Sequence, residues 1–165
     1  MNFELTEEQI LIRETAKEFT NTHLLPGVIE RDENQQFPKD QIKKLGELGF
    51  MGMMVDPKYG GGGMDTVSYV LAMEEFSKVD ASTSVIVSVN NSLVCWGIET
   101  YGNDFQKEKY LRLLATGEKI GAFAHSESNT SPTEANINCS FSDGKLSGTK
   151  IAVVDGDVAN TLIVT

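Results

Sequence analysis

The stretch GAFAHSES (121–128) decides the fold, because the character of the sequence changes there. Before it, apolar residues recur at helical spacing. After it, Gly, Ser, Asn and Thr become frequent and the pattern changes to short strands. KIGAFAHS (119–126) is itself strand-like, with a histidine in the middle of its apolar run. The sequence therefore predicts a mainly α chain, with an all-helical domain over 1–118 and the opening of an all-β unit over 119–165.

About five helices are predicted ahead of this junction, and their end signals set most of their limits. TEEQ (6–9) is a capping box for the first helix, over 7–22. Pro38 suits the first turn of the second helix, over 38–50, in which Gly49 is a left-handed stop. Residues 30–37, which separate these two helices, are polar and aperiodic and predict a connector. The remaining helices are predicted over 66–78, capped by Asp65 or Thr66, over 80–102, and over 105–117, capped by Asp104.

The segment 80–102 admits two interpretations. Its β-branched residues favour a strand, whereas its length and its apolar residues on all sides favour a buried helix. We prefer the helix and expect it to end at Gly102.

On the other side of the junction, turn residues separate short apolar runs. Asp143-Gly144 lies between INCSF (137–141) and KLSGTKIAVV (145–154), which predicts a hairpin with a type I′ turn. TLIVT (161–165) is predicted as a further strand. Because the sequence stops inside that strand, we expect a truncated β unit with an unpaired sheet edge.

Composition narrows the classes of function. The net charge of −10 and the pI of about 4.6 disfavour a nucleic-acid partner, because such a field repels phosphates. The two cysteines, Cys95 and Cys139, are expected to be reduced core thiols. The N-terminus lacks a basic-then-apolar signal, and no apolar run approaches the roughly 20 residues of a membrane span, so we expect a cytoplasmic protein.

Residues with potential chemistry form no complete site by sequence alone. YGGGG (59–63) lacks the Lys-Ser/Thr of a phosphate loop, so a turn with positive φ is the favoured interpretation. His23 and His125 have no ligands at metal-binding spacing, and His23 is expected at a helix end. The residues alone predict neither a metal site nor a catalytic set, and they do not name a reaction.

Several longer stretches do resemble a known family. They are LTEEQILIRETAKEF (5–19), ELGFMGMMVDPKYGGGGMDTVSYVLAMEEFSKVDAS (47–82), SVNNSLVCWGIETYGNDFQKEKYLRLLATGEKIGAFA (88–124) and DGKLSGTK (143–150). Together they resemble the acyl-CoA dehydrogenases, and most of all the short-chain (butyryl-CoA) branch. The resemblance implies an all-helical N-terminal domain, a β-barrel or sandwich-like middle domain and a C-terminal helical bundle. This chain would hold the first of these and the first strands of the second.

The resemblance also implies an activity. Members of the family are FAD-dependent oxidoreductases of fatty acid β-oxidation, which oxidise the Cα–Cβ bond of an acyl-CoA. They pass electrons to an electron-transferring flavoprotein and usually form homotetramers. Their catalytic base belongs to the C-terminal bundle, so no catalytic residue is assigned here. The chain is therefore expected to be inactive on its own.

The junction stretch is where the resemblance places the flavin. Phe123 would form a wall, Ser126 would offer a hydroxyl near the pyrimidine edge, and Ser131 would keep a second hydroxyl nearby. His125 stands at the same site in place of an apolar residue. These four residues are the predicted cofactor-binding residues.

The sequence departs from the family pattern at several flavin-facing positions. Pro132 has no amide proton to donate, and after GTK the pattern x-Trp-Ile-Thr-Asn is replaced by Ile-Ala-Val-Val-Asp (151–155). Ala152 and Val154 therefore lack the ring and the hydroxyl of the family. An alternative hypothesis is thus a diverged, non-catalytic binding or assembly module that has lost flavin binding.

Overall fold

The computed structural model describes residues 4–128 and 137–165, and it confirms the predicted order of a helical part followed by short strands. The α-helices are α1 (Glu7–Phe19), α2 (Val28–Glu33), α3 (Lys39–Glu47), α4 (Thr66–Ser77), α5 (Ala81–Ser88), α6 (Trp96–Tyr101) and α7 (Asp104–Ala115). Two π-helical segments, Thr20–Leu24 and Val89–Cys95, extend α1 and join α5 to α6. Short 3₁₀ turns cover Phe50–Gly52 and Pro57–Tyr59.

Most of the predicted helix ends are confirmed. The Thr6 hydroxyl accepts a hydrogen bond from the Gln9 amide at 3.2 Å, and the Gln9 side chain accepts one from the Thr6 amide at 3.0 Å. Gly49 has φ 82°, as expected of a left-handed stop. The prediction that Asp104 caps the last helix was wrong. Asn103 has the extended backbone of a cap and accepts from the Gln106 amide at 2.9 Å, and Asp104 is already helical.

The prediction of a connector over 30–37 was also wrong in part, because α2 occupies its first half. Gly27, at φ 74°, reverses the chain after the first helix and allows α2 to begin. This helix lies on the surface, and Ile29 is 71% exposed. A helix without a buried face leaves no apolar period in the sequence, which explains the error.

The central helix corrects the prediction that no segment is long enough to span a membrane. Residues 81–101 form a helix of 21 residues with a mean hydropathy of 1.2, sufficient by length and composition. In this structure 56% of the most apolar window is buried inside the protein. Asn90 and Asn91 lie in its middle and hydrogen-bond to the backbone of other segments, as expected of a core helix.

The core is built around this central helix. One cluster packs α1, α3 and α4 together and includes an edge-to-face pair of Phe50 and Phe76, whose ring centroids are 5.1 Å apart. A second cluster lies under α7, where Leu111 and Leu114 pack against Val94. β1 (Gly121–Ala124) contacts the π-helical segment Val89–Cys95 of the central helix, so the β unit begins directly on the core.

The strands form two small sheets. β1 pairs in parallel with β4 (Thr161–Val164), with Phe123 opposite Ile163. β2 (Ser140–Ser142) and β3 (Lys145–Ser147) form the predicted hairpin. Its turn residues Asp143 and Gly144 have φ 52° and 76°, which matches a type I′ turn.

Candidate functional site

The end of β1 carries two of the predicted flavin contacts. Phe123 is half-buried against the second core cluster, and its ring is stacked on that of His125 with centroids 6.1 Å apart. His125 is exposed, and its Nδ1 is 2.8 Å from the Thr165 hydroxyl. The histidine within the apolar run therefore lies where the strand leaves the core, beside the end of β4.

Of the two predicted serine contacts, the structure describes one. Ser126 is exposed, and its carbonyl accepts a hydrogen bond from the Ile151 amide at 2.8 Å. Ser131, together with Pro132, lies outside the described residues. Phe123, His125 and Ser126 thus lie together at one strand end, and their assignment to a cofactor stays a prediction.

Glu127, the residue after this group, is the centre of a buried polar cluster. It is 6% exposed and accepts hydrogen bonds from the amides of Asn138 and Cys139, each at 2.9 Å. Lys150 Nζ lies 2.9 Å from the carboxylate, and the lysine side chain is 7% exposed. The bond from Lys150, followed by those from the two amides, lowers the pKa of Glu127 to about 2.

This cluster ties three separated pieces of chain together. Lys150 Nζ also donates to the His125 carbonyl at 3.0 Å, beside the bond from Ile151 to Ser126. Residues 125–127, 138–139 and 150–151 are therefore held in one arrangement by the buried Glu127–Lys150 ion pair together with these backbone hydrogen bonds. Sequence reasoning gave Glu127 no role, because its partners are distant in sequence.

A cavity of about 900 Å³ lies beside the β unit. It opens between α2, the start of α5 and the loop after β3, and Phe123, His125 and Ser126 lie outside its lining. Its apolar lining includes Val28, Ile29, Phe37, Val79, Val85, Ile86 and Val154, and its charged lining includes Arg31, Asp32, Glu33, Asp80, Asp155 and Asp157. Val154, a position at which the sequence departs from the family pattern, thus lines this cavity, whereas Phe123, His125 and Ser126 do not.

Asp155 has unusual surroundings in this cavity. Its backbone has φ 57°, in the left-handed region that aspartate tolerates better than most residues. Its Oδ2 atom is buried and has no hydrogen-bond partner among the residues that the structure describes. Burial, and secondarily the charge of Asp157, raise the pKa of Asp155 to about 6.

The positive charge in the cavity wall is already paired. Arg31 forms an ion pair with Asp80 at 3.1 Å, with the two side chains 12% and 6% exposed. The same guanidinium donates to the carbonyls of Leu24 at 2.6 Å and Pro26 at 2.9 Å. Asp80 in turn caps α5 by accepting from the Thr83 amide at 2.8 Å. Arg31 therefore holds the helical wall of the cavity together.

Asn90 connects this helical wall to β1, a role that sequence reasoning missed. Its side-chain amide donates to the carbonyls of Met51 at 2.8 Å and Leu114 at 3.1 Å, and its oxygen accepts from the Gly121 amide at 3.0 Å. The side chain is fully buried. The signal was present, since two consecutive asparagines interrupt an apolar stretch and buried polar groups must be hydrogen-bonded.

The described part of the chain contains no set of side chains that could bind a metal ion. Within residues 4–128 and 137–165, no group of three or more His, Cys, Asp or Glu side chains is placed to hold a metal ion. Both cysteines lie in these ranges and are free, and burial raises the pKa of the Cys95 thiol to about 12. The site therefore consists of the cavity and the strand end beside the buried Glu127–Lys150 pair.

Comparison with known sequences gives a matching family model and similar curated proteins. The family model described as the acyl-CoA dehydrogenase N-terminal domain matches residues 6–118. The chain is 40% identical, over 99% of its length, to the short-chain specific acyl-CoA dehydrogenase of Clostridium acetobutylicum. It spans 44% of that relative, so the comparison concerns less than half of the relative's length.

Comparison with solved structures gives close superpositions. Butyryl-CoA dehydrogenase from Megasphaera elsdenii has a TM-score of 0.92 at 37% identity, covering 99% of this chain and 45% of that one. A chain in the structure of the electron transferring flavoprotein of Acidaminococcus fermentans has a TM-score of 0.94 at 39% identity, covering 99% and 44%. Glutaryl-CoA dehydrogenase from Mycobacterium smegmatis, in complex with FADH2, has a TM-score of 0.91 at 33% identity, covering 97% and 42%.

Proposed function

The chain belongs to the acyl-CoA dehydrogenase family, and from this premise we propose that it is the N-terminal portion of an FAD-dependent short-chain acyl-CoA dehydrogenase. The observation that carries the proposal is the cavity of about 900 Å³ between the apolar start of α5 and residues 154–157. Its size is in the range of ligand pockets, and helices and the β unit both contribute to its wall.

The described residues suit the two parts of such a ligand. Val85 and Ile86 on α5 offer an apolar wall for a short acyl chain, and Val154 faces the same space from the β unit. When bound, FAD would accept the hydride that leaves Cβ of the acyl group. The residues of this chain would bind and orient the acyl group and exclude water, while the base for the α-proton belongs to the C-terminal part of the family fold.

One polar atom in the cavity lacks a partner that a ligand could supply. The buried Oδ2 of Asp155, orphaned among the described residues, would gain a partner from a ligand N–H or O–H group. This oxygen, together with the apolar wall, supports FAD as the cofactor and an acyl-CoA as the substrate.

Partners and location follow as further parts of the proposal. An electron-transferring flavoprotein is the proposed electron acceptor, supported by the likeness to a chain in such a structure. A homo-oligomer is proposed as well. Exposed aromatic side chains on α6 and α7 support it, since Tyr101 is 77% and Phe105 is 70% exposed. We propose a cytoplasmic location on the basis of the composition.

The test is a titration of the chain with FAD, followed by flavin fluorescence and the visible spectrum. Saturable micromolar binding with a structured flavin spectrum is the expected result. The double variant Ala152→Trp with Val154→Thr restores the family residues, and it should bind FAD more tightly. If neither protein binds FAD up to millimolar concentration, the proposed flavin site in this chain is refuted.

A second candidate function is the non-catalytic module without flavin. The replacement of the family's ring and hydroxyl by Ala152 and Val154 favours it, since both changes fall on one loop beside the cavity. The same titration separates the two. If the parent chain does not bind FAD and the double variant does, the substitutions at 152 and 154 have removed flavin binding from the site.

A further inference from the structure

The Glu127 carboxylate, which follows the predicted flavin contacts in sequence, is held by hydrogen bonds at both of its oxygens. Oε1 accepts from the Cys139 amide and from Lys150 Nζ, each at 2.9 Å. Oε2 accepts from the backbone amide and the side-chain amide of Asn138, at 2.9 Å and 3.1 Å. These donors occupy the roughly four lone-pair positions of a carboxylate. With a pKa of about 2, Glu127 is therefore a fixed anion at neutral pH and is not poised to accept a proton.

The partners of Glu127 lie at the two ends of the β2–β3 hairpin. Asn138 and Cys139 come directly before β2, and Lys150 follows shortly after β3. The two ends also approach closely, since a Cβ atom added at Gly148 would lie 2.8 Å from Cys139 Cα. Glycine permits this approach of one backbone to the other. The Glu127 carboxylate therefore closes the hairpin at its base and attaches it to the end of β1.

Lys150 connects the base of the hairpin to both parts of the predicted flavin site. Its Nζ donates to the His125 carbonyl at 3.0 Å, and the amide of the next residue, Ile151, donates to the Ser126 carbonyl at 2.8 Å. From Ile151 the chain continues into the loop 152–157, which contributes to the cavity wall. The strand end that carries the predicted contacts and the loop that enters the cavity therefore both begin at this ion pair.

We propose that Glu127 and Lys150 act together as positioning residues of the flavin site, by holding the end of β1 and the loop 152–157 in one arrangement. This inference rests on the proposed function, since it assumes that FAD binds beside these two segments. The two side chains are 5% and 7% exposed and bonded to other parts of the chain, so they act on FAD through the segments that they hold. A site that is ordered in advance loses less conformational freedom on binding, and it therefore binds its ligand more tightly.

The experiment compares FAD binding by the parent chain with binding by Glu127→Gln, Lys150→Met and the combined variant. Dissociation constants are measured by flavin fluorescence, at a temperature where far-UV circular dichroism shows that every protein is folded. We expect each single variant to bind FAD at least tenfold more weakly, which corresponds to about 1.4 kcal/mol. The combined variant should bind within about threefold of the weaker single variant, because both changes break the same connection.

Two results of this titration overturn the inference and leave the proposed function standing. One is FAD affinity equal to that of the parent in both single variants, which would give the pair a purely structural role. The other is a loss in the combined variant equal to the product of the two single losses, which would show that Glu127 and Lys150 act separately.

Glu75→Gln is the matched control. Glu75 on α4 is 8% exposed, and its carboxylate lies 2.8 Å from Lys78 Nζ. This variant therefore removes the charge of another buried glutamate that is paired with a lysine, but in the helical part of the chain. FAD affinity should stay at the parent value. A loss as large as that of Glu127→Gln would show that the effect is not specific to the Glu127–Lys150 pair, and it would overturn the inference.

Hydrogen exchange gives a second readout that does not require FAD. The Ile151 amide, which donates to the Ser126 carbonyl, should exchange roughly tenfold faster in Glu127→Gln than in the parent chain, and at the parent rate in Glu75→Gln. Unchanged protection of this amide in Glu127→Gln overturns the inference, because the two segments would then be held together without the pair. If the parent chain does not bind FAD up to millimolar concentration, the proposed function and this inference fall together.

Discussion

Replacing Asn90 by alanine tests how the helical part holds the β unit. The fully buried Asn90 side chain bonds to the carbonyls of Met51 and Leu114 and to the amide of Gly121. The Leu114 carbonyl also accepts from the Gly117 amide at 3.1 Å, so it keeps one partner in the variant. The alanine variant therefore loses three hydrogen bonds to backbone groups and deprives two of these buried groups, Met51 O and Gly121 N–H, of their Asn90 partner.

The expected magnitude follows from these contacts. A buried polar group left unsatisfied costs about 1–3 kcal/mol, and a bond lost from a group with another partner costs about 1 kcal/mol. Asn90→Ala should therefore lower the free energy of unfolding by about 3–7 kcal/mol, a large fraction of the roughly 5–15 kcal/mol of a typical domain. In a chain of this size, that loss corresponds to a drop in Tm of roughly 10–20 °C.

Urea denaturation followed by far-UV circular dichroism measures this difference directly. Asn34→Ala is the matched control, because the exposed Asn34 side chain makes one bond, to the Glu30 carbonyl at 2.9 Å, within α2. We expect that control to cost less than about 0.5 kcal/mol. If Asn90→Ala costs no more than Asn34→Ala, Asn90 is not the connection between the central helix and β1.

Three further predictions concern the other buried polar groups. Arg31→Met should destabilise the chain by about 3–5 kcal/mol, because Asp80 then remains buried without its partner, and a loss below about 1 kcal/mol in urea denaturation would contradict this. Since the pKa of Glu127 is lowered from 4.5 to about 2, its stabilising contribution is complete above pH 4.5 and is lost as the pH falls toward 2. Glu127→Gln should remove this part of the acid dependence in denaturation curves at pH 3 and pH 7, and identical pH profiles would argue against it. A thiol reagent should modify Cys139 faster than Cys95, which is buried with a pKa of about 12, and equal rates in the native protein would show that Cys95 is accessible.

The parts of the fold that were predictable from the sequence depend on local interactions. The capping box of Thr6 and Gln9 and the turn at Asp143-Gly144 each place their partners within a few residues. The short helix α2 was missed because it exposes most of its surface and leaves no apolar period. Local signals therefore gave the order of the elements and failed where an element has no buried face.

The candidate site depends on contacts between distant segments, and sequence reasoning found less of it. The backbone partners of Asn90 lie 24 to 39 residues away, and the partners of Glu127 named above lie 11 to 23 residues away. Asp155 joins the cavity because the loop after β3 folds back toward α2 and α5. A family pattern directs attention to the right stretches, but packing determines which side chains share a space.

The parallel pairing of β1 with β4 has a consequence for how the chain folds. β1 cannot complete its ladder until residues 161–164 have been synthesised, and each of them lies 40 positions after the β1 residue with which it pairs. By contrast, the groups that Asn90 joins all lie within residues 51–121. The helical part can therefore form while the ribosome is still making the β unit. β1 is then already packed on the folded helices when β4 is synthesised and pairs with it. In this order of events the helices act as the template on which the later strands assemble.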